Sequence, residues 1–202
     1  MDFTWDDSQR AFTDAAEWFV RTSALVGERW DQPGLGGWDI RALVGHTSRA
    51  LLTVETYLSR PALAAEVASA ADYFRAANVA DSSVEARGRD AGSALGADPG
   101  GAVAEIAARV IPLIDARDGS ELVTTIAGGM RLRDYLPTRT FELAIHTADL
   151  ARALELPEYV PDTAAAQALG IVVDLAVDGG HASPLLLAAT GRPGLPPGFT
   201  VL

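Results

Sequence analysis

Apolar positions along this chain recur mostly three and four residues apart, the spacing that lays them on one helix face, and the breaks carry proline and glycine. Thr4 as N-cap, Asp6 and Asp7 in the first turn, and Phe12, Ala15, Ala16 and Phe19 predict a first helix running to about Arg29. After the connection "DQPGLGGW", Ile40, Leu43, Val44, Thr47, Leu51, Val54 and Leu58 form the stripe of a second long helix, antiparallel to the first. Pro61 is expected to open a third helix through "ALAAEVASAADYFRAANV". Asp98-Pro99 starts another, with Val103, Ile106, Ala107, Val110 and Ile114 in register. Between these two, "DSSVEARGRDAGSALG" resists assignment.

The pattern changes at "ELVTTIAGGMRLRDYL", where β-branched residues and a Gly-Gly turn predict a hairpin. Asp134 can then cap a helix that tolerates Pro137 in its first turn and ends near Leu156-Pro157. A further helix is expected from Asp162 to Asp178, stopped by Gly179-Gly180, and a short one from a Ser183 cap with Pro184 at N1 to Gly191. The tail "RPGLPPGFTVL" ends in an expected edge strand. Long helices with short connections indicate a mostly α fold, an antiparallel four-helix bundle with extra short helices and a small β-hairpin. Residues 1–202 suit one domain, with 192–202 as a tail.

Composition narrows the function classes. A net charge of −11, from 27 acids against 16 bases, argues against general nucleic-acid binding, although a local basic pocket remains compatible with it. No window approaches the roughly 20 apolar residues of a bilayer span, so no membrane association is expected. "MDFTWDDSQR" is acidic where a signal peptide would be basic, which makes a cytoplasmic location the default. The chain has no cysteine, so it offers neither a disulfide nor a thiolate of its own. Any sulfur chemistry requires an external thiol.

The stretch "TRTFELAIHTADLARAL", residues 138–154, carries Glu142 and His146 inside an otherwise apolar helix. Its main stripe is Leu136, Thr140, Leu143, Thr147, Leu150 and Leu154, with Phe141 and Ile145 on the opposite side, so burial on more than one face is expected. Glu142 and His146, four residues apart, sit one above the other at the edge of that stripe. A carboxylate near a core needs a cationic partner. Arg139, three residues earlier, can supply an ion pair; a metal ion bound by both side chains is the other reading. His46 lies at the margin of the second helix's stripe, on the side of Ala50 and Tyr57, where it can be a buried histidine or a third ligand. His181, between Gly-Gly and Ser-Pro, suits a solvent-exposed or locally capping role.

Taken together, "GGWDIRALVGH" at 36–46, "ARGRDAGSALG" at 86–96, "GGMRLRDYLPTRTFELAIHTADLARAL" at 128–154 and the closing "TGRPGLPPGFTVL" make the chain similar to the DinB-like metal-binding helical bundles. More closely, it resembles the N-terminal domain of mycothiol-dependent maleylpyruvate isomerases. The resemblance implies a divalent metal, zinc being the expected one, held by His46, Glu142 and His146. Three protein ligands leave a coordination position open, as a catalytic site requires, and the same donors would accept iron(II), nickel or manganese.

The resemblance further implies that the metal activates mycothiol, the external thiol cosubstrate. In the isomerase reaction the thiolate adds to the double bond of maleylpyruvate, the new single bond rotates, and elimination gives fumarylpyruvate; related transferases conjugate the thiol to an electrophile. An anionic substrate needs cations, for which Arg139 is the leading candidate, with Arg75, Arg87 and Arg89 behind it. Asp149 can orient His146 as an acceptor. Isomerases of this kind carry an additional C-terminal α/β domain that has no counterpart before Leu202, which leaves thiol activation better supported than the particular substrate. The alternative is a non-catalytic metal-binding domain acting as a ligand- or partner-binding module. An exposed hairpin or tail strand would suit a homodimer.

Overall fold

A capping box at Thr4 and Asp7 opens the first helix, α1 (Trp5–Ala24): the Thr4 hydroxyl accepts from the Asp7 N–H at 3.2 Å while the Asp7 carboxylate accepts from the Thr4 N–H at 3.1 Å. The structure, a computed structural model, describes residues 3–79, 84–192 and 194–202. The helix stops at Ala24, short of the expected Arg29. Gly27 turns the chain with a positive φ of 63°, and the Arg29 guanidinium folds back to donate to the carbonyls of Leu25, Val26 and Leu154.

Asp39 caps α2 (Ile40–Leu58), accepting from the Ala42 N–H at 2.7 Å. The third helix is shorter than expected. Residues 61–69 run beside the hairpin instead, with Pro61 bridging Val123 and Val67 bridging Met130, and α3 spans only Ala70–Val79. The unassigned segment contains α4 (Val84–Ala94), while its residues 81–83 lie outside the described residues. Next comes α5 (Pro99–Asp115), capped by Asp98 with Pro99 at its start, as expected.

The hairpin is present, β1 (Leu122–Thr125) antiparallel to β2 (Gly128–Arg131), with Val123 opposite Met130. Its turn is Ile126-Ala127 rather than the glycine pair. Gly129 lies in β2 opposite Thr124, and a Cβ there would lie 2.1 Å from the Ala64 carbonyl oxygen, so only glycine admits the neighbouring segment.

Helix α6 (Leu132–Ala153) starts directly from β2, before Asp134, and Pro137 falls inside it; Leu154 ends it and Glu155 adopts a positive φ of 57°. Then α7 (Asp162–Asp178) matches its expected bounds, and α8 (Ala182–Ala189) begins just before Ser183. The tail forms no strand among the described residues, and its Pro193 lies outside them. No described helix is long and apolar enough to cross a membrane.

Four helices, α1, α5, α2 and α6, pack in a ring. Gln9 donates to the carbonyl of Ile114, so α1 and α5 run antiparallel, and Tyr135 reaches Thr53, so α6 and α2 do too. The Arg29–Leu154 contact joins the C-terminal ends of α1 and α6. The fold is thus mostly helical, a four-helix bundle with α1 and α6 in one direction and α2 and α5 in the other. Helix α4 covers α2, α7 packs on α1 and α6, and α3 rests on α6 and α7. With neighbours on so many sides, α6 buries Leu136, Thr140, Leu143, Thr147 and Leu150 together with Phe141. Ile145, expected inside, is exposed.

Candidate metal centre and its pocket

Helices α2 and α6 face each other with polar residues at the margins of their apolar stripes, and three of these converge. The ligand atoms offered by His46, Glu142 and His146 all lie within 4.8 Å of one another. Glu142 Oε2 is 3.3 Å from His146 Nε2 and 3.9 Å from His46 Nε2, and each side chain is about one-fifth exposed. The two imidazoles meet edge to face at 4.8 Å between centroids. Ligands bound about 2.0–2.1 Å from a tetrahedral ion stand roughly 3.3–3.5 Å apart, so the donor types suit a small divalent cation and the Glu142–His146 spacing already matches, while His46 would have to move inward to join them.

Electrostatics distinguishes the three groups. Burial pushes His46 down to about 4, aided by the neighbouring His146, so it is neutral. Burial disfavours charge on the other two as well but is outweighed. His146 is raised to about 9 by its hydrogen bonds to Asp149 and Glu142, and Glu142 is lowered to about 2 by the His146 hydrogen bond and the charge of Arg139. In the metal-free protein a proton on His146 therefore compensates the buried carboxylate. A divalent ion would take over that role as the proton leaves.

The two histidines are oriented by different means. His146 Nδ1 lies 3.2 Å from Asp149 Oδ2, a carboxylate–histidine contact that fixes the ring and leaves Nε2 facing Glu142. His46 Nδ1 is buried without a hydrogen-bond partner among the described residues. Packing holds this ring instead, against Trp38 at 4.6 Å between centroids. Trp38 in turn donates from its indole to the Glu85 carbonyl at 3.0 Å and lies against Gly88, where a Cβ would fall 2.6 Å from the indole ring. Sequence reasoning gave Trp38 no such part, because a stacking partner across a loop leaves no periodic trace.

Beside the triad is a cavity of about 250 Å³ whose lining includes His46, Glu142, Arg49, Arg87 and Arg139. Arg139 is only 8 % exposed, and its guanidinium lies over the rings of Tyr73 and Tyr135, at 5.1 and 5.0 Å from their centroids. Its Nε donates to the Thr138 hydroxyl at 3.0 Å. The contacts of the Glu142 carboxylate are thus to the two histidines, and Arg139 acts on it through its charge, which replaces the simple surface ion pair. Arg49 also lines the cavity, although the sequence reading passed over it; its place one turn after His46 on α2 was the available signal.

Two other arginines do not reach this cavity. Arg75 pairs with Asp178, and with Asp72 at 2.5 Å; Arg89 pairs with Glu85 at 2.5 Å. These are exposed side chains drawn to nearby helix carboxylates. His181 is also remote, stacked edge to face on Phe199 at 5.5 Å, and its side chain makes no cap on α8.

The chain matches the family described as mycothiol maleylpyruvate isomerase N-terminal domain over residues 10–151, a span that contains the triad, Asp149 and the cavity. Searches of the curated proteins and of the solved structures return no match. A bundle with these three convergent donors, matched over more than half its length, belongs to the mycothiol maleylpyruvate isomerase N-terminal domain family.

Proposed function

We propose that the protein is a metal-dependent thiol transferase or isomerase that uses mycothiol as cosubstrate and attacks a small electrophile. The observation that carries this reading is the convergence of His46, Glu142 and His146 beside an arginine-lined cavity in a chain without cysteine. Zinc is the expected metal. Held by these residues, it would lower the pKa of a bound thiol and supply at neutral pH the thiolate that the chain itself cannot.

The chain's own residues do the rest. Neutral His46 and ionised Glu142 are ready donors, and Asp149 keeps the Nδ1 proton of His146, so that its Nε2 loses the competing proton and presents a lone pair. Arg139, Arg49 and Arg87 provide positive charge for an anionic group on the electrophile. Tyr57, Tyr73 and Phe74 narrow the space around it.

The test is elemental analysis of protein purified without chelator or metal-affinity resin, alongside Glu142→Ala. One equivalent of metal in the parent and little in the variant is expected, together with thiol-dependent turnover that His46→Ala abolishes. A parent chain that takes up no zinc after refolding in its presence would sink the proposal.

A further inference from the structure

The cavity is not uniformly polar. Beyond the triad and the arginines it is walled by Phe74, Ala77, Val84 and Ile126, and two of these are left partly open to solvent, Val84 at 36 % and Ile126 at 58 % exposure. Ile126 occupies the turn of the hairpin, a position at which a polar residue would cost nothing. An apolar side chain there gains by burial only when something apolar is laid against it.

The charged lining sets a second condition. Arg139 is buried, and neither it nor Arg49 has a carboxylate within ion-pair distance among the described residues. A desolvated guanidinium favours an anion, and the planar fork suits a carboxylate. A compact diacid would have no apolar body to lay along Phe74, Ala77, Val84 and Ile126. The volume, about 250 Å³, falls just below the roughly 300–1,000 Å³ of drug-sized sites and suits a ligand of one ring or a short chain.

We propose that the electrophile accepted here is an amphipathic monocarboxylate, its carboxylate held by Arg139 and Arg49 and its apolar body laid along Phe74, Ala77, Val84 and Ile126. This rests on the proposed function in taking the cavity as the site of the second substrate, and it narrows that substrate away from compact diacids.

Calorimetric titration of the metal-free protein tests it with three probes: cinnamate, its neutral amide, and fumarate as a compact dianion. Cinnamate should bind, and the amide should bind about tenfold more weakly, the loss of one charge-assisted contact. Fumarate should also bind more weakly than cinnamate. Arg49→Gln should bring cinnamate close to the amide, and Ile126→Asn should weaken cinnamate about fivefold while leaving fumarate unchanged. Circular dichroism of both variants checks that they fold. An amide that binds as tightly as the acid, fumarate at least as tight as cinnamate, or no binding of any probe would overturn the assignment. Zinc titration of the same sample separates the two proposals. Zinc uptake without cinnamate binding defeats this one alone; cinnamate binding without zinc uptake defeats the thiol-activation reading and leaves the ligand class standing.

Discussion

Asp149 and Trp38 orient the two imidazoles in chemically different ways, and the difference has measurable consequences. Removing the carboxylate in Asp149→Ala frees the His146 ring and its Nδ1 proton, so zinc affinity should fall about 10–100-fold in a chelator competition, with the fold retained. Titration of the metal-free protein gives a second test. His146 is raised from 6.5 to about 9, so its contribution to stability is complete below pH 6.5 and is lost as pH rises through 9. His46 is lowered from 6.5 to about 4, so the unfolded chain takes up a proton that the folded one refuses, and stability falls as pH drops from 6.5 toward 4. Glu142, lowered from 4.5 to about 2, adds a loss at still lower pH. Urea unfolding of the metal-free protein should therefore show greatest stability near pH 6.5, and bound zinc should remove the decline toward pH 9 because His146 then holds no Nε2 proton. At this scale the sequence exposed His46, Glu142, His146 and Asp149 through their helical spacing. It exposed neither the Tyr73 face over Arg139, which comes from α3, nor the Trp38 ring against His46, which lies in the segment before α2.

Among the elements, α4 shows most clearly how local sequence is overruled by packing. Its apolar pattern is weak, yet it is held tightly on α2 because glycines meet there: a Cβ on Gly45 would lie 2.0 Å from the Gly92 backbone nitrogen. That close approach brings Arg87 to the cavity and Glu85 to Trp38. Gly45→Ala must push the helices apart, so a loss of about 1–3 kcal/mol in denaturant unfolding is expected, along with weaker zinc binding through the displaced Trp38–His46 pair. The stretch 61–69 makes the converse point. Alanine gives it helix propensity, but the hairpin offers its edge, and backbone hydrogen bonds from Glu66 and Val67 to the Gly129 carbonyl win. Bounds set by strong local signals, such as the Gly179-Gly180 stop of α7, were legible; those set by a partner were not.

For the whole molecule, the net charge of −11 and the arginine lining of the cavity coexist because the fold sorts its charges. Many of the acids lie on the surface, where water solvates them, while three of the arginines gather around a single opening. The candidate centre also ties α2 to α6 across the bundle, so metal occupancy should be felt globally. Free zinc at 100 times its dissociation constant should add about 2.7 kcal/mol, which for a chain of this size is a rise of roughly 5–11 °C in Tm. Differential scanning calorimetry should find that rise in the parent and not in Glu142→Ala; equal shifts in both would place the bound ion elsewhere.

The sequence by itself determined the long helices α1, α2, α5, α6 and α7, the hairpin, the absence of cysteine and the pairing of Glu142 with His146 on one face, because each depends on spacing or composition within a single segment. It also carried the family resemblance through motifs in order. Only the tertiary structure decided that Arg49, Arg87 and Arg139 share one cavity while Arg75 and Arg89 do not, and that Trp38 supports His46. The reason is physical: helical spacing fixes which way a side chain leaves its own helix, whereas what it meets depends on how closely two helices pack, and here glycine contacts and ring stacking set that distance.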